Sequence, residues 1–346
     1  MSGGVDSNVA AALLRDGGHH VIGLCMILAG DDGAPEYAEQ AENAAGRMGI
    51  EFIALDAREM FETKIIGPFV KQYMEGRTPN PCVLCNREIK FDLLFEQAGR
   101  LGADAVATGH YARIERMPGG VREYALYSAL DRDKDQSYFL AFLKRESLDR
   151  ILFPLGRMTK AQVRAEAEAR GLASARPESQ EICFVPAGDY AALVAQRLPQ
   201  AAAPGDIVDL DGRVLGRHRG VHMFTVGQRK GLGIAAPEPL YVVRIRPARS
   251  EVVVGTARDL AASALVTGPP NMLADTAPHA PARVKIRYRH HGAHASINPT
   301  STRCEVRFAK PVHAVAPGQA AVFYDTEGER VLGAGWIDEA REGMKN

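Results

Sequence analysis

The sequence predicts an α/β domain with a doubly wound parallel sheet, followed by two small β-rich domains. Over residues 1–185, short apolar runs alternate with amphipathic stretches, as is typical of a parallel sheet covered by helices on both faces. From about residue 190 the pattern changes, because proline and glycine separate short β-rich runs, which is typical of small barrels. A length of 346 residues suits two or three domains.

The elements of the first domain are predicted in chain order from this alternation. The apolar runs are predicted to be buried strands, and the amphipathic stretches to be helices between or after them. The predicted strands are Val21–Leu28, Phe52–Leu55 and Ala105–Thr108. The predicted helices are Val9–Leu14, Glu36–Met48, Glu88–Leu101 and Lys160–Arg170.

The β-rich half is divided by two segments that are rich in proline and glycine. Linkers are predicted at Pro199–Pro204 and Gly268–Pro270, so the domains are expected to cover residues 1–190, 200–267 and 268–340. The strand-like runs of this half include Tyr241–Ile245, Glu251–Val254 and Ala320–Tyr324.

The charge is balanced overall but not along the chain. The 42 Lys and Arg residues equal the 42 Asp and Glu residues, yet residues 213–310 hold 16 basic and 5 acidic side chains. A concentrated basic region indicates a nucleic-acid partner, although a solvated basic surface explains it equally well. No apolar run approaches the eighteen or so residues that span a bilayer, which excludes a membrane protein. Five cysteines are too few for a disulfide scaffold, and with no leader-like segment we expect a cytoplasmic protein.

A glycine loop, Ser2–Ser7, opens the first helix. Its two glycines allow the backbone to approach an anion, and the N–H groups at the helix start point at that anion. Ser2 and Ser7 add hydroxyl donors, while Asp6 suits either a Mg²⁺ ion or an orienting hydrogen bond. No Gly-Lys-[Ser/Thr] ends the loop, so it is not a Walker A motif.

Three of the five cysteines are placed as reactive groups would be. Cys82 and Cys85 precede the predicted helix Glu88–Leu101, where a thiol is expected to be a thiolate more often, and Cys183 lies about a hundred residues further on. A zinc site completed by a histidine and a thioredoxin-like pair of Cys82 and Cys85 remain open alternatives. Cys25 and Cys304 lie in apolar or strand-like runs and are predicted to be inert.

Several motifs together resemble one enzyme family. The loop Ser2–Ser7 resembles the pyrophosphate-binding loop of the PP-loop ATP pyrophosphatases, whose fold is adenine nucleotide alpha-hydrolase-like. With it, the ordered motifs resemble the tRNA-specific 2-thiouridylases, which thiolate the wobble uridine of tRNA, and the match runs from Met1 to about Gly335. The further motifs are Thr78–Pro81, Cys85-Asn86, Ile89–Phe91, Ala107–Tyr111, Lys134–Leu140, Ile182–Phe184 and Phe224–Ile234.

The resemblance implies a reaction that uses ATP and Mg²⁺. The uridine O2 would be adenylated so that it leaves as AMP, because oxide itself is a poor leaving group. By position, Cys183 matches the carrier of a persulfide sulfur and Cys85 its nucleophilic partner. The two would then close a Cys85–Cys183 disulfide, which a reductant reopens.

The resemblance also implies binding residues and partners. Expected partners are the tRNAs for lysine, glutamate and glutamine, and a sulfur-relay protein that donates the persulfide. The residues matching ATP contacts are Met1, Ser2, Gly3, Gly4, Val5, Asp6, Ser7, Met26 and Gly109. The residues matching tRNA contacts are Asn80, Pro81, Cys82, His110, Lys134, Asp135, Gln136, Arg287, Tyr288 and Gln319. The alternating Arg283, Lys285, Arg287 and Arg289 are predicted to share one face of a strand.

Two departures from the family pattern leave alternatives open. Met1 falls where the family has completed a strand that leads into the loop, so the first strand is expected to be truncated and the chain could be an inactive tRNA-binding protein. Cys82 stands where many members carry Asp, so Cys82, Cys85 and Cys183 could instead hold a 4Fe-4S cluster that binds the incoming sulfide. An amidating synthetase, such as a GMP synthetase, is a third alternative, but no glutaminase motif is visible.

Overall fold

A computed structural model describes residues 1–28, 35–117, 123–172, 182–185, 188–198 and 203–341. The α-helices in these residues are α1 (Val5–Asp16), α2 (Glu36–Met48), α3 (Arg58–Phe61), α4 (Gly67–Met74), α5 (Pro81–Cys85), α6 (Asp92–Leu101), α7 (Ser137–Leu140), α8 (Lys160–Ala169) and α9 (Tyr190–Arg197). The strands are β1 (Ile22–Ile27), β2 (Glu51–Asp56), β3 (Val106–Ala107), β4 (Ala112–Arg116), β5 (Tyr124–Ser128), β6 (Ile151–Leu152), β7 (Gly205–Val208), β8 (Val214–His218), β9 (Tyr241–Arg246), β10 (Glu251–Gly255), β11 (Ala261–Thr267), β12 (Asn271–Met272), β13 (Ala280–Lys285), β14 (Ala293–Pro299), β15 (Cys304–His313), β16 (Ala320–Tyr324) and β17 (Val331–Arg341).

The chain divides into two compact units, and the first has the predicted α/β composition. It comprises Met1–Ile65, Cys82–Gln180 and Glu329–Val331. Strands β1 and β2 pair in parallel, β3 and β6 pair in parallel, and β4 and β5 form an antiparallel pair. The connections between the parallel strands contain helices, as parallel pairing requires.

Helix α1 is held in this unit by a core of small side chains. Val9 and Ala12 of α1 are buried with Ala44 of α2, with Val163 of α8 and with Leu155 in the turn before α8. Alanines on facing helices allow the backbones to approach closely, so the start of α1 has a fixed position. Full burial of one such valine or leucine contributes about 1.5–3 kcal/mol to stability.

The predicted helix Glu88–Leu101 begins earlier than the sequence indicates. Helix α5 starts at Pro81 and continues through a π-helical turn, Asn86–Phe91, into α6. Proline is favoured in the first turn, where its missing N–H costs no hydrogen bond, and this explains the start. Cys85 is therefore the last residue of α5 and does not precede a helix N-terminus. The prediction that a helix N-terminus makes Cys85 a thiolate more often has no structural basis.

The second unit contains the β-rich domains together with α4 and α9. It comprises Ile66–Pro81, Glu181–Gly328 and Leu332–Asn346. One sheet has the order β8-β7-β10-β9, with β7 and β10 parallel. The other has the order β11-β15-β14-β13-β16-β17, and β11 also pairs with β17, so six strands close into a barrel. The prediction of two small β-rich domains is confirmed.

Two predicted details of this half differ from the structure. Gly268–Pro270 connects β11 to β12, and both strands pair with β17, so this segment joins strands of one sheet rather than two domains. Strand β13 ends at Lys285, so Arg287 and Arg289 lie in the turn that follows it. Of the other predicted linker, residues 199–202 lie outside the described residues.

Within the described residues, no helix combines the length and the apolar character needed to cross a membrane.

Candidate active site

The loop Ser2–Ser7 is closed by its own hydrogen bonds at the start of α1. The Ser2 N–H donates to Ser7 Oγ (3.0 Å), and Ser7 Oγ donates to the Gly4 carbonyl (3.0 Å). Gly3 has a φ of 70°, and a Cβ there would lie 2.6 Å from the Tyr37 carbonyl oxygen, so only glycine fits. The first N–H groups of the twelve-residue α1 are the groups that bind phosphate in other proteins.

Gly109, which the resemblance assigns to ATP together with the loop, lies against Asp6 and Ser7 of the loop. A Cβ on Gly109 would lie 2.8 Å from the Asp6 carbonyl carbon and 2.9 Å from the Ser7 nitrogen. Met26 is half-buried on β1, and the Met1 α-amino group donates to the carbonyl of Leu24 on the same strand. The predicted ATP contacts thus lie on the loop, on β1 and after β3, and their contact with ATP remains a prediction.

Asp6 forms an ion pair with Lys160, which the sequence did not predict. The Lys160 ammonium donates to both carboxylate oxygens of Asp6, at 2.8 and 2.9 Å, and the Tyr111 hydroxyl donates to Asp6 Oδ1 at 2.9 Å. The Lys160 side chain is only 10% exposed and lies 5.7 Å from the centre of the Tyr111 ring. Of the two roles predicted for Asp6, the orienting hydrogen bond is the one that this geometry favours.

The residues around Asp6 do not form a cage for a metal ion. Both Asp6 oxygens already accept hydrogen bonds, and no group of three or more His, Cys, Asp or Glu side chains that could hold a metal occurs in the described parts of the chain. Mg²⁺ usually enters such sites on nucleotide phosphates with few protein ligands, so the site fits Mg²⁺ carried by ATP. The described residues likewise offer no ligand set for a 4Fe-4S cluster.

His110 lies beside the loop in an apolar position. Its Nδ1 hydrogen-bonds the Thr108 hydroxyl (2.6 Å), and its ring centre lies 6.2 Å from that of Phe91 and 6.0 Å from that of Phe153. Desolvation by burial, helped by the charge of Lys90, lowers the pKa of His110 to about 3. The imidazole is therefore neutral near pH 7 and is suited to hydrogen bonding rather than to neutralising phosphate.

This depressed pKa predicts a pH-dependent stability. In the unfolded chain a histidine titrates near pH 6.5, so between about pH 6.5 and 3 the unfolded state binds the extra proton and stability falls as the pH falls. We expect the free energy of unfolding to drop by about 1–2 kcal/mol more between pH 7 and 5 than it does in His110→Asn. Chemical denaturation at both pH values measures the difference. His19→Asn, which changes an exposed histidine, should behave as the unmodified protein does. An equal pH dependence in His110→Asn and the unmodified protein would contradict the neutral state of His110.

The segment Lys134–Gln136 is assigned to tRNA by the resemblance, but two of its side chains have contacts within the fold. Asp135 is buried, and its carboxylate accepts hydrogen bonds from the N–H groups of Ala129 and Ser137 and from the Ser137 hydroxyl. The Gln136 side chain accepts from the Tyr111 N–H at 2.9 Å. These contacts fix the segment beside Tyr111 and His110, whereas Lys134 is half-buried.

The segment before α5 is fixed by the barrel within the second unit. Gln319 Nε2 donates to the carbonyls of Thr78 (3.1 Å) and Pro79 (3.4 Å), and the Thr78 N–H donates to the Pro317 carbonyl (2.8 Å). Gln319 therefore holds the chain that leads into Asn80 and Pro81. Any contact of Gln319 with tRNA would come in addition to this role.

The predicted catalytic cysteines differ in exposure. Cys85 is 6% exposed at the end of α5, and Cys82 one turn earlier is half-buried. The neighbouring Asn86 is buried and donates to the Phe139 carbonyl (3.2 Å), while its Oδ1 has no hydrogen-bond partner among the described residues. Cys183 is exposed in a turn closed by the Val185 N–H, which donates to the Ile182 carbonyl (3.0 Å). The exposure of Cys183 suits a sulfur carrier, whereas burial of Cys85 does not by itself indicate a nucleophile, so both roles stay predictions.

The basic side chains near β13 keep their alternation beyond the end of the strand. Ala282, Val284 and Ile286 are buried, and the basic residues between and after them face outward. Lys285 lies 4.9 Å from the centre of the Tyr324 ring, and Arg287 donates to the His313 carbonyl (3.4 Å). The shared outward face was predicted, although a turn and not a strand provides its second half, with exposed Arg287 and Arg289 and half-buried Tyr288.

If this face follows the phosphates of tRNA, its arginines determine the salt dependence of binding. Arg287→Ala or Arg289→Ala should weaken tRNA binding and reduce the slope of log K against log salt by about one per lost phosphate contact. Filter binding at several salt concentrations measures the slope. Arg303→Ala, which removes an arginine paired with Glu305 at 3.0 Å, serves as the control, and ATP binding should be retained in all three variants. Unchanged slopes at both positions would place the tRNA surface elsewhere.

Comparison with known proteins agrees with this arrangement of domains. Residues 1–187 match the family described as tRNA methyl transferase HUP domain, residues 191–256 its PRC-barrel domain, and residues 262–337 the aminomethyltransferase beta-barrel domain. The tRNA-specific 2-thiouridylase MnmA of Syntrophotalea carbinolica is 48% identical over 97% of both chains. The proteins of the same name from Geotalea uraniireducens (48%; 98% of this chain and 94% of that protein) and Chloroflexus aggregans (47%; 97% and 96%) are similarly close.

The glycine loop lies at the start of α1 in a HUP domain, and two β-rich domains follow. This combination defines a nucleotide-using enzyme of the HUP class. Within that class, identities of this size over nearly the whole chain settle the family. The chain belongs to the tRNA-specific 2-thiouridylase family.

Proposed function

We propose that the protein forms 2-thiouridine at the wobble position of tRNA in an ATP-dependent reaction, as a tRNA-uridine 2-sulfurtransferase. The support that carries this proposal is the sequence identity with the 2-thiouridylases over 97% of the chain. The closed glycine loop with Asp6, Lys160 and Gly109 beside it adds a phosphate site that suits cleavage of ATP.

The first chemical step activates the uridine oxygen. The N–H groups of α1 and the Lys160 ammonium hold the phosphates of ATP, and Asp6 orients that ammonium through its two carboxylate oxygens. The uridine O2 attacks the α-phosphorus, the bond to the β-phosphate breaks, and pyrophosphate leaves. The oxygen is then part of an AMP ester, which is a far better leaving group than oxide.

The second step transfers sulfur. The terminal sulfur of a Cys183 persulfide attacks C2 of the uridine, and the C2–O bond breaks as AMP leaves. The Cys85 thiolate then attacks the Cys183 Sγ, so that the bond between Cys183 and the transferred sulfur breaks and its electron pair stays on the uridine sulfur. A Cys85–Cys183 disulfide remains, and an external thiol reductant reopens it with two electrons.

The proposed partners are those that the resemblance to the family implies. A sulfur-relay protein reloads Cys183 with persulfide sulfur, and the exposure of Cys183 in its turn suits such a donor. The tRNA substrates we propose are those for lysine, glutamate and glutamine. The cytoplasm, where thiols are kept reduced, suits the cycle. No observation favours the cluster mechanism, the inactive binding protein or an amidating synthetase.

Mass spectrometry of tRNA nucleosides tests the proposal. Unmodified tRNA is incubated with the protein, ATP and a persulfide source, digested, and analysed for 2-thiouridine. We expect 2-thiouridine only when ATP and the persulfide source are both present, with one AMP formed per modified base. Formation of an amidated nucleoside from ammonia, or tRNA binding without any modification, would refute it.

A further inference from the structure

We propose that Phe69 is a positioning residue for Cys183, acting through the ring of Phe184. The inference rests on the proposed function, in which Cys183 carries the sulfur. It assigns a role to α4 and to the motif Phe224–Ile234, neither of which enters the chemistry described above. All residues involved belong to the second unit.

The thiol is presented at the tip of a tight turn. The turn runs from Ile182 to Val185 and is closed by the 3.0 Å hydrogen bond between its ends. Cys183 is exposed, whereas Phe184 is half-buried and Val185 is buried. The two residues after the cysteine therefore anchor the turn while the thiol stays accessible to a sulfur donor.

The anchor is a cluster of aromatic rings on α4 and α9. Phe69 is 1% exposed, and its ring meets that of Phe184 edge to face, with centres 5.1 Å apart and planes at 84°. Phe69 and Tyr73 are one helical turn apart on α4 and also meet edge to face at 5.0 Å. Tyr73 stacks on Tyr190, the first residue of α9, at 4.5 Å and 16°. Edge-to-face and stacked pairs fix the angles between rings, so the cluster defines the orientation of Phe184.

The cluster continues into the family motif. The side chains of Tyr190 and Thr225 share a hydrogen bond, and the Thr225 N–H donates to the side chain of Gln228 at 3.0 Å. The Gln228 carbonyl accepts from the Val242 N–H on β9 at 2.9 Å, which ties the motif to the four-stranded sheet. The motif thus connects α9 to the four-stranded sheet by hydrogen bonds. A chain of contacts leads from the sheet to the residue beside Cys183, in the order Gln228, Thr225, Tyr190, Tyr73, Phe69 and Phe184.

Sulfur transfer demands this kind of support. Attack on C2 and attack on the Cys183 Sγ each require an aligned approach, and a misplacement of about 1 Å can cost about a hundredfold in rate. Cys183 lies in an exposed turn, and the neighbouring Phe184 connects this turn to the buried Phe69. The ring of Phe184 on Phe69 provides that alignment from the neighbouring residue.

The test uses Phe69→Leu and Phe184→Leu, with Phe323→Leu as the matched control. Phe323 is also fully buried in the second unit, but it lies in the barrel core and its substitution leaves the aromatic cluster intact. The full-length proteins are compared by steady-state 2-thiouridine formation, by ATP and tRNA binding, and by millisecond hydrogen exchange at the Val185 amide. The exchange measurement reports opening of the turn and needs no activity.

We expect Phe69→Leu and Phe184→Leu to lower kcat about tenfold or more, with KM for tRNA and ATP within about twofold of the unmodified values. Both variants should also exchange the Val185 amide faster, and Phe323→Leu should do neither. Unchanged exchange in both variants, or a loss of kcat equal to that of Phe323→Leu, overturns the inference. Since Phe184 is only half-buried, its variant should fold even if Phe69→Leu does not.

Failure of the proposed function gives a different result. If the unmodified protein forms no 2-thiouridine, the sulfurtransferase proposal fails, whereas faster exchange at Val185 in the two variants still supports the anchor. If the unmodified protein forms 2-thiouridine but the Val185 amide exchanges at an unchanged rate in both variants, the sulfurtransferase proposal stands and the proposed anchor fails.

Discussion

Cys183→Ser and Cys85→Ser are each expected to abolish 2-thiouridine formation while leaving tRNA binding nearly unchanged. A serine at 183 cannot carry a persulfide, so no sulfur reaches the uridine. A serine at 85 cannot attack the Cys183 Sγ, so the reaction stops with the uridine sulfur still bonded to Cys183. Nucleoside mass spectrometry and tRNA binding measure the two properties in parallel.

Two buried cysteines supply matched controls. Cys25 and Cys304 are both at most 1% exposed, and burial raises the pKa of both thiols, that of Cys304 to about 12. They are therefore protonated and unreactive near neutral pH, and Cys25→Ser and Cys304→Ser should lose stability but keep the reaction. Substantial thiolation by Cys183→Ser or Cys85→Ser would reject the assigned roles.

Lys160→Met and Asp6→Asn are expected to reduce AMP formation by about a hundredfold or more. Removal of the lysine deletes the ammonium beside the glycine loop, while the Tyr111 hydroxyl still donates to Asp6. Replacement of the aspartate releases the ammonium from its position, so the phosphates lose a preorganised charge. Loss of one preorganised group of this kind typically costs about 10²–10³ in kcat. AMP release and ATP affinity are the quantities to measure.

Lys144→Met is the matched control for this pair. Lys144 pairs with Asp92 at 3.2 Å, but both side chains are exposed, and such surface pairs contribute about 0–1 kcal/mol. We expect Lys144→Met to form AMP at the unmodified rate. Thermal denaturation shows whether Lys160→Met is folded. A folded variant that forms AMP at the unmodified rate would exclude Lys160 from the phosphate site.

The fold class was predictable because its signals are local in the sequence. The helix Glu36–Met48 and the strand Ala320–Tyr324 have the predicted bounds, since apolar periodicity and an ending glycine or loop mark both ends. The strands predicted at Val21–Leu28 and Phe52–Leu55 are found within one or two residues as β1 and β2. Parallel pairing followed from the alternation of strands and helices.

The parts that were missed depend on contacts that the sequence does not display. Lys160 meets Asp6 across 154 positions, and its only local sign is its place at the start of a helix capped by Thr159. Tyr111 ends the motif Ala107–Tyr111, but its contact with Asp6 is visible only in the folded chain, where its hydroxyl donates to the Asp6 carboxylate. The start of α5 at Pro81 was missed because the π-helical turn shifts the apolar period at Asn86–Phe91.

The closed barrel of the second unit has a consequence for how the chain is synthesised. Strand β17 completes the ring by pairing with β11, the first strand of the barrel to leave the ribosome. Until β17 has emerged, β11 and β16 each present an edge with unpaired N–H and C=O groups, which another nascent chain could pair with. The barrel therefore closes late, and proteins stalled before β17 should depend on chaperones more than proteins stalled after it.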